Sequence, residues 1–292
     1  MIRVATRASD LALVQAGMAR DALLVAHPGL TVDLVRVTTV GDRLPEVSLE
    51  GVEGRGFFTD SLERALDAGE ADLAVHSLKD LPTELAGGFR IVAVMERDEP
   101  ADVLVSPHGG LASLPPGARV GTDSARRRAQ LALVRPDLRF AAVRGNVPTR
   151  LARLDSGDFD ALVLAAAGLR RLGLGERAGE VLGPDVCLPA PGQGAIAVES
   201  RVEGDAAALA AAIDHPGTRA AVTAERAFLA GMGGGCRTPI GALATVSGGR
   251  LRLAGVVVEG GLARRVEVEG EVDEAAGLGA EAARRVLVGA LP

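Results

Sequence analysis

The residues of this chain that could do chemistry fall into a cysteine loop, a lysine–aspartate pair and clusters of arginine. Cys236 follows Gly233-Gly234-Gly235 and precedes Arg237-Thr238-Pro239. Successive glycines lack a Cβ, so the backbone there can take positive φ and carry a thiol away from a packed surface. That suits an attachment point, although a free cysteine is equally at home as a small core residue. Lys79 and Asp80 sit in His76-Ser77-Leu78-Lys79-Asp80-Leu81-Pro82, just past an apolar segment. Asp80 suits a general acid/base or an anion that stabilises a cation, with Lys79 as its neighbouring charge; an ordinary loop ion pair has the same sequence. Arginines gather at turns that start helices, in Gly121-Thr122-Asp123-Ser124-Ala125-Arg126-Arg127-Arg128 and in Arg144-Gly145-Asn146-Val147-Pro148-Thr149-Arg150, with Arg170-Arg171 closing the next unit. Helix N-termini favour anions, and the planar guanidinium fork matches a carboxylate. The competing reading is a set of solvated helix faces whose ion pairs contribute at most about 1 kcal/mol each.

Composition narrows the chemistry. A net charge of −6 and six Phe with no Trp or Tyr leave neither a basic field nor stacking platforms for nucleic acid. The two cysteines, Cys187 and Cys236, are far apart with no Cys/His cluster, so neither a disulfide framework nor a metal site is expected. Of the 32 basic residues only Lys79 is lysine. That lysine precedes Asp, which rules out a Walker motif, and no GxGxxG follows the first strand; Gly192-Gln193-Gly194 is a weak likeness to a phosphate loop. No apolar run long enough to span a bilayer and no export signal are visible, so a cytoplasmic protein is expected.

Those groups must be positioned by an α/β framework. Strand, helix, strand is the order expected over 2–6, a helix begun at Ser9, and 31–39; a loop with four glycines over 40–56 leads to a helix over 59–68 and a strand over 71–75. The Lys79–Asp80 pair then lies beyond the carboxyl end of a strand, where open α/β sheets bind ligands, and His76 is expected as a packed strand-end histidine. A charged hinge at 96–100 precedes a second α/β pattern, and a strand over 195–199 returns to the first. From about residue 215 a long helix leads into the cysteine loop, followed by strands at 240–246, 251–258 and 265–268 and a closing helix over 274–288. The expected domains are 1–97 with 190–213, 98–189, and 214–292. Arg7, from the first, and the three arginine clusters, from the second, are expected to line a cleft.

Taken together, Val4-Ala5-Thr6-Arg7-Ala8-Ser9, Val75 to Pro82, Arg144-Gly145-Asn146-Val147, Ala166-Ala167-Gly168-Leu169, Gly192-Gln193-Gly194-Ala195 and Gly235-Cys236 resemble, in order, the porphobilinogen deaminase family, along essentially the whole chain. The resemblance implies two α/β lobes similar to type II periplasmic binding proteins plus a small α+β C-terminal domain. It implies a dipyrromethane cofactor held by a thioether to Cys236, four porphobilinogen substrates added in turn with loss of ammonia, and hydrolytic release of a linear tetrapyrrole by a monomer needing no metal. Each pyrrole carries an acetate and a propionate, so a chain of six rings brings about a dozen carboxylates to be matched by arginine. By the same resemblance Asp80 stabilises the cationic azafulvene left by deamination. Lys79, Thr122, Ser124, Arg126, Arg127, Arg144, Arg150 and Arg171 bind cofactor and substrate carboxylates, with Arg7 and Ser9 near the reacting ring, Phe58 stacking on a pyrrole and Arg55 a basic loop residue.

Asp123, Pro148 and the loop positions Gly51, Arg55 and Asp60 depart from the family pattern. Asp123 places an anion in an anion site, so either it faces away or it weakens the site. A non-catalytic carboxylate-binding two-lobe module is the rival from another class; it leaves Cys236 and the third domain without a purpose. A cysteine hydrolase is a further rival, but no histidine lies near Cys236 in sequence to serve as its base.

Overall fold

Aliphatic runs alternating with amphipathic stretches produce the strand and helix order of an α/β chain. The computed structural model describes residues 1–38, 59–234 and 238–289. Within them the chain divides into two compact units, Met1–Arg97 with Ala195–Arg219 and Asp98–Gly194 with Ala220–Pro292. The first opens with β1 (Ile2–Arg7), α1 (Asp10–Ala26), β2 (Val32–Val37), α2 (Asp60–Asp67), β3 (Leu73–Ser77) and β4 (Phe89–Val94). The second supplies β5 (Asp102–Val105), β6 (Arg119–Gly121), α3 (Ala125–Val134), β7 (Arg139–Ala141), α4 (Val147–Asp155), β8 (Ala161–Ala165), α5 (Ala166–Arg171) and β9 (Glu180–Leu182). The chain re-enters the first unit for β10 (Ile196–Arg201), α6 (Ala206–Ala210) and the start of α7 (Pro216–Gly231). The rest of α7, with β11 (Ile240–Ser247), β12 (Arg250–Glu259), β13 (Leu262–Glu271) and α8 (Ala275–Val288), belongs to the second.

The two five-stranded sheets share one topology, β2-β1-β3-β10-β4 and β7-β6-β8-β5-β9. In each, the first three strands are parallel, and the fourth is antiparallel to its neighbours. These are the two α/β lobes the sequence led us to expect, and the three-stranded antiparallel sheet β11-β12-β13 with α8 is the small α+β part. Burial on both faces explains why β3, β8 and β10 read as nearly continuous apolar runs. Val4, Leu73, Val75, Ile196 and Val198 pack under α1, while Ala5 and Ala74 meet Leu62 and Leu66 of α2 on the opposite face.

This packing fixes the turn after β3. Leu78 and Leu81 are buried, the amide of Leu78 donates to the Ala195 carbonyl at 3.0 Å, and that of Leu81 donates to the Leu78 carbonyl at 3.1 Å. Anchored on either side, Lys79 and Asp80 stand at the surface, Asp80 exposed. The strand itself runs two residues beyond the expected end, through His76 and Ser77. β9 and α6 are additional elements, and β13 is longer than its apolar stretch suggests, because pairing along all of β12 extends it into charged residues. Among the described residues no helix is long and apolar enough to cross a membrane.

Candidate active site

Arg7 ends β1 and Ser77 ends β3, two parallel neighbours, so both project at the carboxyl edge of the first sheet. There they line a shallow concavity open to solvent, with Ser9, Gln15, Thr59, His76 and Asp80; Leu11, Ala12 and Val75 give it an apolar wall. Ser9 occupies the N-cap position of α1, where its carbonyl accepts from the Leu13 amide, but its side chain makes no cap hydrogen bond. That leaves the hydroxyl to the concavity. Nε2 of Gln15 donates to Oγ of Ser77 at 2.8 Å, fixing both polar groups in the wall. His76 is packed as expected, with Nε2 2.7 Å from Oε2 of Glu199, which is fully buried.

The arginine clusters divide. Arg126 and Arg127 are 5% and 7% exposed and turn inward onto Asp102, which is 0% exposed. Nη1 of Arg126 donates to Oδ2 of Asp102 at 2.6 Å and to the Leu188 carbonyl at 2.7 Å. Nη2 of Arg127 donates to Oδ1 at 2.7 Å, and its Nη1 to the Val163 carbonyl at 2.8 Å. Burial by itself would raise the Asp102 carboxyl, but the two guanidinium charges outweigh it and hold the group well below the usual carboxylate range. Thr122, 1% exposed, accepts the Ser124 amide on Oγ1 at 3.2 Å, and Ser124 caps α3 by accepting the Arg127 amide at 3.3 Å. The start of α3 is therefore satisfied from within. Thr122, Ser124, Arg126 and Arg127 thus stand together at the start of α3, the two arginines with Asp102 as their partner and the two hydroxyls holding backbone amides.

Arg171 is drawn in as well, donating from Nη2 to the Gly194 carbonyl at 2.6 Å, with Nε 3.7 Å from Oδ2 of Asp98. Arg144 and Arg150 remain half-exposed beside the N-terminus of α4, whose Asn146 cap accepts the Thr149 amide at 2.9 Å; Nε of Arg150 donates to the Gly145 carbonyl at 2.8 Å. Asp123 is exposed and stands apart from the buried cluster, and Pro148 falls in the first turn of α4, where its missing N–H costs nothing.

Gly192-Gln193-Gly194 is a junction and not a phosphate loop. The Gly192 amide donates to Oε2 of Glu225 at 2.6 Å, and Nε2 of Gln193 donates to the Pro100 carbonyl at 2.7 Å and to Oδ1 of Asp102 at 2.9 Å. Cys187, 0% exposed, lies against the same Asp102, and burial together with that carboxylate pushes its thiol up to about 12. Cys236, Arg55 and Phe58 lie outside the described residues. Gln15 and Thr59 are site residues that no motif marks out, and Ser77 lies within one without being singled out: single polar side chains in helices and strands acquire meaning only when the fold brings them to one edge.

The profile described as porphobilinogen deaminase, dipyromethane cofactor binding domain, matches residues 2–209, and that of the porphobilinogen deaminase C-terminal domain matches 219–287. The porphobilinogen deaminase of Roseiflexus castenholzii is 50% identical over 290 residues, covering 98% of this chain and 95% of that protein. The one from Moorella thermoacetica is 50% identical over 291 residues, covering 98% and 93%. Among solved structures, the VFT2 domain of Bordetella pertussis BvgS aligns with a TM-score of 0.44 at 18% identity, over 73% of this chain and 85% of that one. With both profiles together spanning nearly its whole length and half its residues shared with these relatives, the chain belongs to the porphobilinogen deaminase family.

Proposed function

We propose that the concavity around Asp80 is where this chain performs the reaction of its family. That reaction is the stepwise deaminating condensation of four porphobilinogen molecules onto a dipyrromethane cofactor, followed by hydrolytic release of the linear tetrapyrrole. The observation that carries the assignment is the meeting of one exposed carboxylate with a guanidinium and hydroxyls in a partly apolar hollow. A pyrrole offers a ring N–H and two carboxylates, and this donor set answers both: Asp80 accepts from N–H, while Arg7 and Ser9 hold carboxylate. When bound, the dipyrromethane supplies a covalent anchor and the nucleophilic ring carbon on which growth begins.

Asp80 stabilises the positive charge that develops on substrate as ammonia leaves, and its placement between two buried leucines keeps it aimed without reorganisation. The apolar wall of Leu11, Ala12 and Val75 lowers the local polarity on one side of that charge and strengthens the attraction. Gln15 and Ser77, locked to each other, orient the ring edge. Lys79, Arg144 and Arg150 supply further positive charge to the carboxylates of the growing chain. Arg126, Arg127 and Arg171, bonded to Asp102 and Gly194, and Thr122 and Ser124 at the start of α3 complete the set that meets the carboxylates of cofactor and substrate. Phe58 and Arg55 are assigned to the loop before α2 as a stacking ring and a basic side chain.

Cys236 is the attachment point. The chain has two cysteines, and the thiol of Cys187 is disabled by burial beside an anion, since only the thiolate is a competent nucleophile. Residues 214–292 act as the domain that presents this cysteine, alongside 1–97 with 190–213 and 98–189. The enzyme works as a cytoplasmic monomer without nucleic-acid or membrane partners, which sedimentation of the purified protein checks. Intact mass tests the core of the reading: the protein carries the added mass of two linked pyrrole units and gives a positive Ehrlich reaction, and Cys236→Ala carries neither. Asp80→Asn keeps the fold and loses roughly 100-fold or more in turnover. A fully active, unmodified protein overturns the assignment.

A further inference from the structure

Among the described residues, α7 is the one element whose chain belongs to both units, Pro216–Arg219 to the first and Ala220–Gly231 to the second, and it ends just before the glycine run that precedes Cys236. Its base is clamped to the end of β4. Oδ1 of Asp214 accepts the Val94 amide at 2.7 Å, and the His215 amide donates to the Val94 carbonyl at 2.8 Å. Nε of Arg219 donates to Oδ2 of Asp214 at 2.7 Å and its Nη2 to the Val92 carbonyl at 3.0 Å. Nδ1 of His215 accepts the Thr218 amide at 3.0 Å, so the imidazole caps the helix and carries its proton on Nε2. Oγ1 of Thr218, 2.9 Å from the same nitrogen, accepts the Arg97 amide at 3.0 Å, and Thr218 is buried.

The far end of α7 is held as well. Gly233 closes it at a φ of +63, and the amides of Met232, Gly233 and Gly234 donate to the carbonyls of Phe228, Ala230 and Leu229 at 3.1, 2.9 and 3.0 Å. Gly234 fits so closely that an added Cβ would lie 2.6 Å from Cδ1 of Leu229 and 2.8 Å from Cδ1 of Ile240. Between the two ends α8 braces the helix: Phe228 is fully buried, and a Cβ on Gly231 would lie 2.6 Å from Cβ of Ala283. Cys236 follows the held Gly234 by two residues. Covalent geometry alone then keeps the two Cα atoms within about 7 Å of each other.

We propose that Asp214, His215, Thr218 and Arg219 are positioning residues for elongation: they make α7 a strut that ties the attachment cysteine to β4, in the sheet that carries Asp80. A tethered group reaches its target at an effective concentration set by the tether, highest when the tether just spans the distance and falling as it lengthens. Each condensation adds a ring and a methylene bridge with two rotatable bonds, so the tether gains slack as it grows. The first addition, made on the shortest tether, therefore depends most on where the strut holds the anchor, and the last depends least.

The strut matters only if Cys236 carries the growing chain, so it rests on that assignment, yet it can fail while the assignment stands. Thr218→Val keeps the size of the side chain and removes the oxygen that accepts the Arg97 amide; Thr218→Ser restores it. The cofactor-loaded Thr218→Val protein should carry the same added mass of two pyrrole units as wild type, keep its KM and lose about 10- to 100-fold in kcat. In intact-mass spectra quenched during turnover it should accumulate the species with no substrate ring added, and Thr218→Ser should return both readouts to wild type. A normal kcat for Thr218→Val, or a slowing spread evenly over the four additions, overturns the strut and leaves Cys236 as the attachment point. A Cys236→Ala protein that still carries the cofactor overturns both. Should Thr218→Val not fold, amide hydrogen exchange in the loaded wild-type protein decides: the Thr218 and Gly234 amides should be protected to within about 100-fold of each other, as parts of one cooperative unit, and a wider gap breaks the strut at its far end.

Discussion

Asp102 shows how a charge is kept in the interior of this chain. Its carboxylate is 0% exposed and receives Arg126 at 2.6 Å, Arg127 at 2.7 Å and Gln193 at 2.9 Å, so its lone pairs are occupied and its charge is outweighed locally by two cations. Removing one member of such a cluster strands the others without solvent. Asp102→Asn should therefore destabilise the protein by about 3–5 kcal/mol, read as a shift in the urea midpoint at constant slope. Because Asp102 sits at the first position of β5 and its arginines open α3, the loss should be greatest in the second unit, seen as faster hydrogen exchange there than in β1 or β3. In sequence, the same arginines look like ligand-binding groups at a helix start; the carboxylate that claims them lies 24 and 25 residues away, on a strand whose pattern is otherwise apolar. Sequence patterning reveals periodicity and local caps, and it is blind to which distant charge will share a buried space.

At the level of elements, what was legible followed from repeated signals. Long apolar strands, the helix starts after Ser124 and Asn146, and the Lys79–Asp80 turn after β3 stand where their patterns put them, because each is fixed by residues within a few positions, whereas the side-chain caps at Ser124 and Asn146 were not expected and that of Ser9 is absent. β9, with three residues, and α6, with five, carry too little pattern to be told from a loop. Close approaches between elements are equally hidden. Gly279 of α8 rests on α7 so tightly that an added Cβ would lie 2.6 Å from Cβ of Ala227 and collide with the Ala224 carbonyl. The φ of Gly194 is +87, and there a Cβ would come 2.5 Å from the carbonyl oxygen of Asp98. Gly279→Ala should cost about 1–3 kcal/mol, since helix backbone is what must move, whereas Gly277→Ala on the same helix, where an added Cβ meets nothing within 4 Å, should stabilise slightly. Paired thermal melts of the two variants check both signs; a comparable loss in each would show that α8 is not held by this contact.

Across the whole molecule, two buried carboxyls of opposite tendency bound the pH range in which the fold is most stable. Asp102 is lowered from 3.8, so it contributes stability that is present above its unfolded value and is lost as pH falls through its folded one. Glu63 is raised from 4.5 to about 7, so the first unit has its full contribution below the unfolded value and loses it as pH climbs through neutrality, when a second buried negative charge appears beside Glu199. The full shift would correspond to about 3 kcal/mol, and the residual solvent contact of Glu63 reduces the expected loss to about 1–2 kcal/mol. In a protein of this size that is a fall of roughly 2–6 °C in Tm between the unfolded value of 4.5 and about pH 8. Glu63→Gln cannot ionise, so its Tm should fall less over the same range and exceed wild type on the alkaline side. Calorimetry on the cofactor-loaded protein at both pH values checks this: a variant more stable than wild type at alkaline pH would show that ionisation of Glu63 costs the fold stability there. Parallel melting curves for variant and wild type would remove Glu63 as the source of the alkaline limit.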